Sequence, residues 1–495
     1  MPLKHHRTSS ALVAGAAALV LIPFLTGADI ATAPAPTVAP PGVAPPGVAP
    51  LSAADGAAIQ AVLLAAPAQG IAAPNLAADV AELNAPDADG RAGAEDRLAH
   101  AAIAYARAEH GMDIDPQSID DDFALRAPFD AAAEFAQARA SGQAGAWLAA
   151  QARRDPAYLA LVAARARYED IDGHGGWGEV RAGRELRAGV RDRRVPELRR
   201  RLAAEGYDAP VPAGSKAASL FDPALAKAVA DFQDHHGLKA DGVLTPATLA
   251  ALNVSAHDRL AALDANLERA RWLPIAMPVT RIEVDTAGPE VALFQEGQPT
   301  LAMRAVAGET KRPTPMFASE VTAVKFNPPW IVPTDIARRE IYPNGRGYMA
   351  RNDFHVVNGR LEQRAGPKSS LGYVKFEIPD RFQVYQHDTP ARSLFALDKR
   401  WRSHGCVRLA APRQLAAILL GWSPAQVDQA IAAGATKTYA LATRIPVYIV
   451  YRTAWVAPDA HVSFRADVYG WDDELAVALA GKPEPKHTHD EDVGV

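Results

Sequence analysis

The period of the apolar positions changes along the 495-residue chain, and the changes divide it. Ala11 to Leu25 is an almost unbroken apolar run behind Lys4 and Arg7, with small residues after it. Basic, then apolar, then small is the pattern of a secretory signal peptide, read here as residues 1–33. The run falls short of the roughly 20 apolar residues that a spanning helix needs. The chain is therefore expected to be exported, with no membrane span after cleavage; an uncleaved N-terminal anchor is the other reading. Residues 34–50 repeat Pro-Pro-Gly-Val-Ala and predict an extended linker.

Residues 51–191 are Ala-rich with helical spacing, as at Leu98, Ile103 and Tyr105 and on through Trp147 and Leu148. Gly173-His174-Gly175-Gly176-Trp177-Gly178 follows a helical stretch rather than a strand. It reads as a helix end and turn, not as a phosphate cradle. Residues 192–254 predict three short helices. Val195, Leu198 and Leu202 share one face, Leu225, Val229 and Phe232 follow Asp222-Pro223, and Thr245-Pro246 supplies an N-cap and a first-turn proline. Leu260, Leu263 and Leu267 resume the helical spacing. Residues 255–275 are accordingly read with 51–191 as one helical domain that the three-helix unit interrupts.

Over 278–455 the period falls to two. Strands are predicted around Ile282 and Val284, Val291 and Leu293, Val324 and Phe326, Val374, Phe376 and Ile378, Phe382, Val384 and Tyr385, and Val447 and Ile449. Within this region residues 331–371 have weak periodicity, several glycines and Arg338, Arg339, Arg346 and Arg351. A long irregular segment in a compact domain is read as a candidate lid. Residues 471–495 read as an acidic C-terminal tail whose His487 and His489 are solvated rather than ligating. The expected fold class is multidomain α+β: a mostly β domain beside an α-helical domain carrying an inserted three-helix module.

Composition changes this picture in two places. Lys+Arg total 52 and Asp+Glu 57, a net charge of −5, which argues against a nucleic-acid partner. The single cysteine, Cys406, excludes a disulfide framework and Cys-rich metal sites; no metal and no cofactor are expected. In an oxidising compartment a lone thiol is a liability, and its presence points to a use.

Around it the chain reads Ser403-His404-Gly405-Cys406-Val407-Arg408, with Tyr385-Gln386-His387-Asp388 upstream. A thiol becomes a nucleophile near neutral pH with help from a base, and His387 and His404 are both available. Gly405 permits a tight turn that aims backbone N–H groups at a developing oxyanion. Arg408 adds a positive charge that favours thiolate or an anionic substrate. A buried structural cysteine with incidental histidines is the competing reading.

The spacing from His387 to Ser-His-Gly-Cys-Val-Arg resembles the signature of the L,D-transpeptidase catalytic domain. The resemblance extends through Gly308-Glu309-Thr310, Pro313-Thr314-Pro315, Phe326-Asn327-Pro328-Pro329-Trp330-Ile331-Val332-Pro333, Leu371-Gly372-Tyr373-Val374-Lys375-Phe376 and His387-Asp388-Thr389-Pro390. Gly175-Gly176-Trp177 and Asn266-Leu267-Glu268-Arg269 are similar to the larger members of that family. The run from Phe232-Gln233 to Thr245 resembles the three-helix peptidoglycan-binding domain. Gln386 departs from the family where an apolar residue is common, and Ser369-Ser370 where Asn-Ala is frequent.

The resemblance implies that Cys406 attacks a peptidoglycan stem tetrapeptide, with release of the terminal D-alanine and formation of a 3→3 crosslink. It implies His387 as general base and later acid, His404 and Gly405 as supports of the site or the oxyanion, and substrate contacts from Arg408, Tyr385, Ser403, Gly372, Trp330 and Asn327. It also implies stem peptides and glycan strands as partners, carbapenem-type β-lactams as inhibitors, and a periplasmic or cell-envelope location. Other functions open to the same residues are a cysteine-dependent wall-peptide hydrolase or carboxypeptidase, a protein-to-wall acyl transferase, and a non-catalytic wall-binding scaffold.

Overall fold

Capping residues start most of the helices that the N-terminal pattern predicts. In the computed structural model, which describes residues 50–125, 127–210 and 218–481, Ser52, Asp87 and Asp130 accept backbone N–H groups at the starts of Ala53–Ala65, Ala88–Glu109 and Ala131–Ala140. Small side chains let these helices and Ala144–Gln151 approach closely around a core of Ile59, Leu63, Leu98, Tyr105, Phe135 and Leu148. The signal peptide and all of the linker but Pro50 lie outside the described residues.

The helices Pro156–Gly173 and Ala256–Arg271 pack on each other through Tyr158, Leu161, Tyr168, Leu263 and Leu267. Between them in sequence stand the helices Val195–Ala204, Pro223–His235 and Pro246–Leu252, closed on their own core of Leu198, Leu202, Phe221, Leu225, Val229 and Phe232. The two ends of this unit meet. The Asn253 side chain accepts from the Val180 N–H and donates to the Val180 carbonyl, each at 2.9 Å. Glu205, fully buried, takes Arg201 at 2.6 Å and the Tyr168 hydroxyl at 2.7 Å, which ties the unit to its host helix. Gly175 and Gly176 have positive φ and the Gly176 N–H returns to the Ile171 carbonyl, so that glycine run ends a helix.

The β region has fourteen strands: β1 Arg281–Asp285, β2 Glu290–Gln295, β3 Gln298–Gly308, β4 Ala318–Phe326, β5 Trp330–Ile331, β6 Phe354–Val357, β7 Arg360–Gln363, β8 Val374–Glu377, β9 Gln386–His387, β10 Trp401–Ser403, β11 Val407–Leu409, β12 Lys437–Val450, β13 Ala454–Val456 and β14 Val462–Phe464. The main sheet runs β10-β3-β11-β9-β8-β4-β12-β1-β2, and β2 pairs back onto β3, so eight strands close on themselves. Ile282, Val284, Leu293, Val324, Phe326, Val374, Phe376, Val407, Leu409, Val447 and Ile449 form its core, joined by Leu415 and Val427 from the helices Pro412–Leu420 and Pro424–Ala432.

Three sequence expectations change. Residues 331–371 are not irregular: β5, β7 and β6 form a separate sheet, with the helix Gly345–Arg351 and a core of Val332, Ile336, Ile341, Phe354 and Leu361. Its elements are too short to display a period. The stretch Phe382 to Tyr385 is a turn rather than a strand, because the Asp380 carboxylate accepts the N–H groups of Phe382 and Val384 and Gln383 has φ +58°. Residues 471–479 are a helix and not a tail. Asp467 accepts N–H groups of its first turn, Trp471 and Leu475 are buried, and Asp472 pairs with Arg269. The acidic residues there are the favoured first-turn charges of a helix. Residues 482–495, with His487 and His489, lie outside the described residues.

Candidate active site

Strand pairing assembles the site. β9 and β11 are parallel neighbours in which His387 stands opposite Arg408 and Gln386 opposite Val407, and the Val407 N–H donates to the Tyr385 carbonyl at 3.0 Å. Side chains alternate between the faces of a sheet. Val407 and Gln386 therefore enter the core, while Tyr385, His387, Cys406 and Arg408 share the outer face. β8 pairs antiparallel with β9 and brings Lys375 opposite His387 on that face. The Lys375 ammonium lies 4.1 Å from the Tyr385 ring centroid, and the Tyr385 and His387 rings are 5.6 Å apart.

The loop before β11 holds the thiol. Gly405 has φ +106°, a conformation that L side chains rarely adopt. The loop's carbonyls are taken from behind: the Thr314 hydroxyl donates to Gly405 at 2.7 Å, and the Ser403 hydroxyl donates to Cys406 at 2.5 Å. With these acceptors bound, the turn keeps its shape without using its own N–H groups for that purpose. Cys406 itself is half-buried; its thiol donates to the Gln383 carbonyl at 3.7 Å, with the Tyr385 backbone and hydroxyl close by.

Electrostatics favour a neutral resting pair. Burial pushes the Cys406 thiol up, against the Tyr385 donors and the Lys375 charge. Burial first, then the Arg408 charge, lowers His387 to about 3. Its Nδ1 donates to the Asp388 carbonyl at 2.6 Å, which leaves Nε2 with the lone pair. The arrangement is a protonated thiol and an unprotonated imidazole on one face at neutral pH. Arg408, itself lowered by burial, gains from the thiolate.

The other residues singled out from the sequence divide. The His404 Nε2 lies 2.6 Å from Glu340 Oε1, and Arg312 contacts the same oxygen at 3.3 Å, so it joins the loop to the 331–371 segment. Trp330, in β5, stands beside the Tyr385 hydroxyl, the thiol's neighbour. Gly372, at φ +60°, leaves no room for a side chain, since a Cβ would lie 2.5 Å from the Asp388 carboxylate. It lines a cavity of about 570 Å³ with Tyr373, Thr389, Arg392 and Arg413. Two substrate expectations are corrected. Ser403 is buried and spends its hydroxyl on the loop. Asn327 is buried with φ +47°, and its amide donates to the carbonyls of Ala430, Ile431 and Ala435 at 3.1 to 3.3 Å, closing the end of the helix Pro424–Ala432. A larger cavity of about 840 Å³ lies among the helical domain, the three-helix unit and the β1–β2 edge, lined by neither Cys406 nor His387.

Lys375, Thr314 and Glu340 are the members that sequence reasoning missed. Lys375 and Thr314 fall inside the runs quoted above, but only strand register and loop closure bring them to the site. Glu340 carried no signal.

Residues 279–449 match the family described as L,D-transpeptidase catalytic domain, residues 191–252 a "Putative peptidoglycan binding domain", and residues 51–164 a scaffold domain. A curated relative from Haemophilus influenzae, described as "Putative L,D-transpeptidase", is 28% identical over 224 residues. That match covers 40% of this chain and 45% of the relative, so it spans less than half of the relative's length. Among solved structures, an L,D-transpeptidase from Mycobacterium smegmatis aligns at 15% identity and TM-score 0.21, over 35% of this chain and 58% of that one. An Enterococcus faecium L,D-transpeptidase aligns at 16% and 0.20, over 36% and 52%. The chain is thus similar over residues 279–449 to the L,D-transpeptidase catalytic domain, over 191–252 to the "Putative peptidoglycan binding domain" and over 51–164 to the scaffold domain.

Proposed function

We propose that the protein is an exported cell-envelope enzyme that crosslinks peptidoglycan stem peptides through Cys406. The thiol sulfur attacks the carbonyl of the third residue of a stem tetrapeptide, its proton passes to His387, and the bond to the terminal D-alanine breaks as that proton reaches the leaving amine. The resulting thioester is attacked by the side-chain amine of a neighbouring stem's third residue. Cys406 is released as a thiol, and the product is a 3→3 crosslink. The acyl bond is exchanged rather than made anew, so no nucleotide is consumed.

The observation that carries this reading is the shared face of β9 and β11, to which the thiol, Tyr385, His387 and Arg408 all belong. The backbone of Gly405 and Cys406 is the oxyanion site in this scheme, and Lys375 and Arg408 supply positive charge to it and to the peptide carboxylate. The 331–371 segment, joined to the loop through Glu340 and to Tyr385 through Trp330, favours an amine over water by covering the groove. The test is mass spectrometry of the protein mixed with a stem tetrapeptide, then with an acceptor stem. An acyl adduct on Cys406 that is consumed to give a dimer is expected; a cleaved stem without dimer would identify a hydrolase instead. A carbapenem, whose lactam mimics the attacked amide, is expected to acylate the same sulfur.

A further inference from the structure

Away from the thiol, three potential metal ligands from distant parts of the chain converge. His235 ends the helix Pro223–His235 of the peptidoglycan-binding domain, while Asp459 and His461 lie between β13 and β14. His235 Nε2 is 3.2 Å from Asp459 Oδ2, His461 Nδ1 is 3.3 Å from the same oxygen, and the three donor atoms lie within 4.8 Å of one another. A tetrahedral zinc site with bonds of about 2.0–2.2 Å has ligand–ligand edges of roughly 3.3–3.6 Å, close to the two observed separations.

The outer ring nitrogens are held as ligating histidines require. His461 Nε2 faces the Gly206 carbonyl at 3.5 Å, and His235 Nδ1 faces the Tyr207 hydroxyl at 3.0 Å. A carbonyl can only accept, so Nε2 carries the His461 proton and Nδ1 presents a lone pair. That Nδ1 is buried and makes no hydrogen bond, although the carboxylate oxygen is near. With the proton on Nε2, this lone pair meets the carboxylate oxygen at 3.3 Å with no proton between them, a repulsion that a cation bridging the two atoms relieves. The Tyr207 ring stacks on His461 at 4.7 Å and fixes its plane, and the His235 ring centroid lies 5.0 Å from that of His461 with the two planes 16° apart, near enough to parallel for both rings to share one ion only from side by side. Asp459 is half-exposed, which leaves a fourth position open to water.

We propose that His235, Asp459 and His461 bind a divalent transition metal of the zinc class, which pins the peptidoglycan-binding domain to the β13–β14 hairpin. Residues 235, 459 and 461 form no local ligand spacing, so the sequence offered no reason to expect a metal. The ligands come together only when the two domains dock, so binding stabilises that docking by mass action.

The test compares the full chain with His461→Gln and Asp459→Asn, dialysed against zinc chloride and then metal-free buffer. Histidine occurs 14 times in the chain, so the difference between proteins is read rather than the total. The wild type is expected to retain one more equivalent of zinc than either variant, and to gain several degrees in Tm with zinc where the variants gain none. Cobalt in place of zinc is expected to give the visible bands of a four-coordinate nitrogen and oxygen site, without sulfur charge transfer. Equal zinc in the wild type and in His461→Gln, or a Tm that zinc leaves unmoved in the wild type, overturns the site. Sulfur charge transfer as the sole cobalt signal assigns the metal to Cys406 and also overturns it.

Discussion

At the scale of single residues, the same strand carries the proposed base and a misfit. His387 and Gln386 are adjacent on β9, and alternation sends one to the reacting face and the other into the core. Gln386 is fully buried, and neither atom of its amide has a partner among the described residues. An unpaired buried amide costs about 1–3 kcal/mol. Gln386→Leu is therefore expected to raise stability by about 1–2 kcal/mol in urea unfolding, with lactam acylation retained. Cys406→Ala is expected to remove acylation and leave the unfolding midpoint nearly unchanged, since one thiol contributes little packing. His387→Ala is expected to slow acylation about 10²–10⁴-fold, the range of a lost acid/base group. An equal loss in His404→Ala with His387→Ala unaffected would reverse the assignment of base, and the Glu340 contact of His404 argues against that outcome.

At the scale of elements, the site depends on how the 331–371 segment meets the Cys406 loop. Glu340 is the joint: it takes His404 at 2.6 Å and Arg312 at 3.3 Å from elements on the other side. Glu340→Ala is expected to loosen the segment without dismantling the nucleophile. Hydrogen exchange over 334–351 should rise, while acylation by a small lactam falls by no more than about tenfold. A loss as large as that of His387→Ala would place Glu340 in the chemistry instead.

At the scale of the whole molecule, two histidines report on pH. His236 and His387 are both buried, and desolvation lowers each to about 3, with neighbouring arginine charge adding to the effect. In the unfolded chain they titrate near 6.5, so between about 6.5 and 3 the unfolded state binds more protons. Stability then rises with pH across that window and levels above it. Each histidine is expected to cost about 2 kcal/mol by pH 5 relative to pH 7. Proton uptake on unfolding at pH 5, measured by calorimetry in two buffers, should drop by nearly one in His236→Gln. The peptidoglycan-binding domain contributes neither Cys406 nor His387, and its ends meet at Val180 and Asn253. Replacing 195–253 with a short linker is expected to preserve lactam acylation and to weaken pull-down by wall polymer. Tm should fall as well, because Tyr168 and Phe464 lose their cover from Glu205 and His236. Loss of acylation in a folded variant would make the domain part of the active architecture.

Much of this protein was legible in its residues because the physics involved is local. Thr245-Pro246 and Asp222-Pro223 cap helices wherever they stand; an alternation such as Val374-Lys375-Phe376 makes a half-buried strand; and the Ser-His-Gly-Cys run carries its own turn. The sequence thus determined the helical, three-helix and β regions, and it pointed to Cys406 and His387 as the candidate nucleophile and base. It misread 331–371 and 471–479, where elements of two to nine residues are ordered by the surfaces they dock on rather than by a period of their own. It assigned Asn327 and Ser403 to substrate because adjacency to a motif does not reveal which way a side chain points. Only the tertiary structure decided those directions, set Lys375 opposite His387 and bound Glu340 to His404. It also brought His235 to Asp459 and His461 across more than two hundred residues. Such contacts arise from strand register and domain docking, where the energy belongs to pairs of segments and is written in neither segment alone.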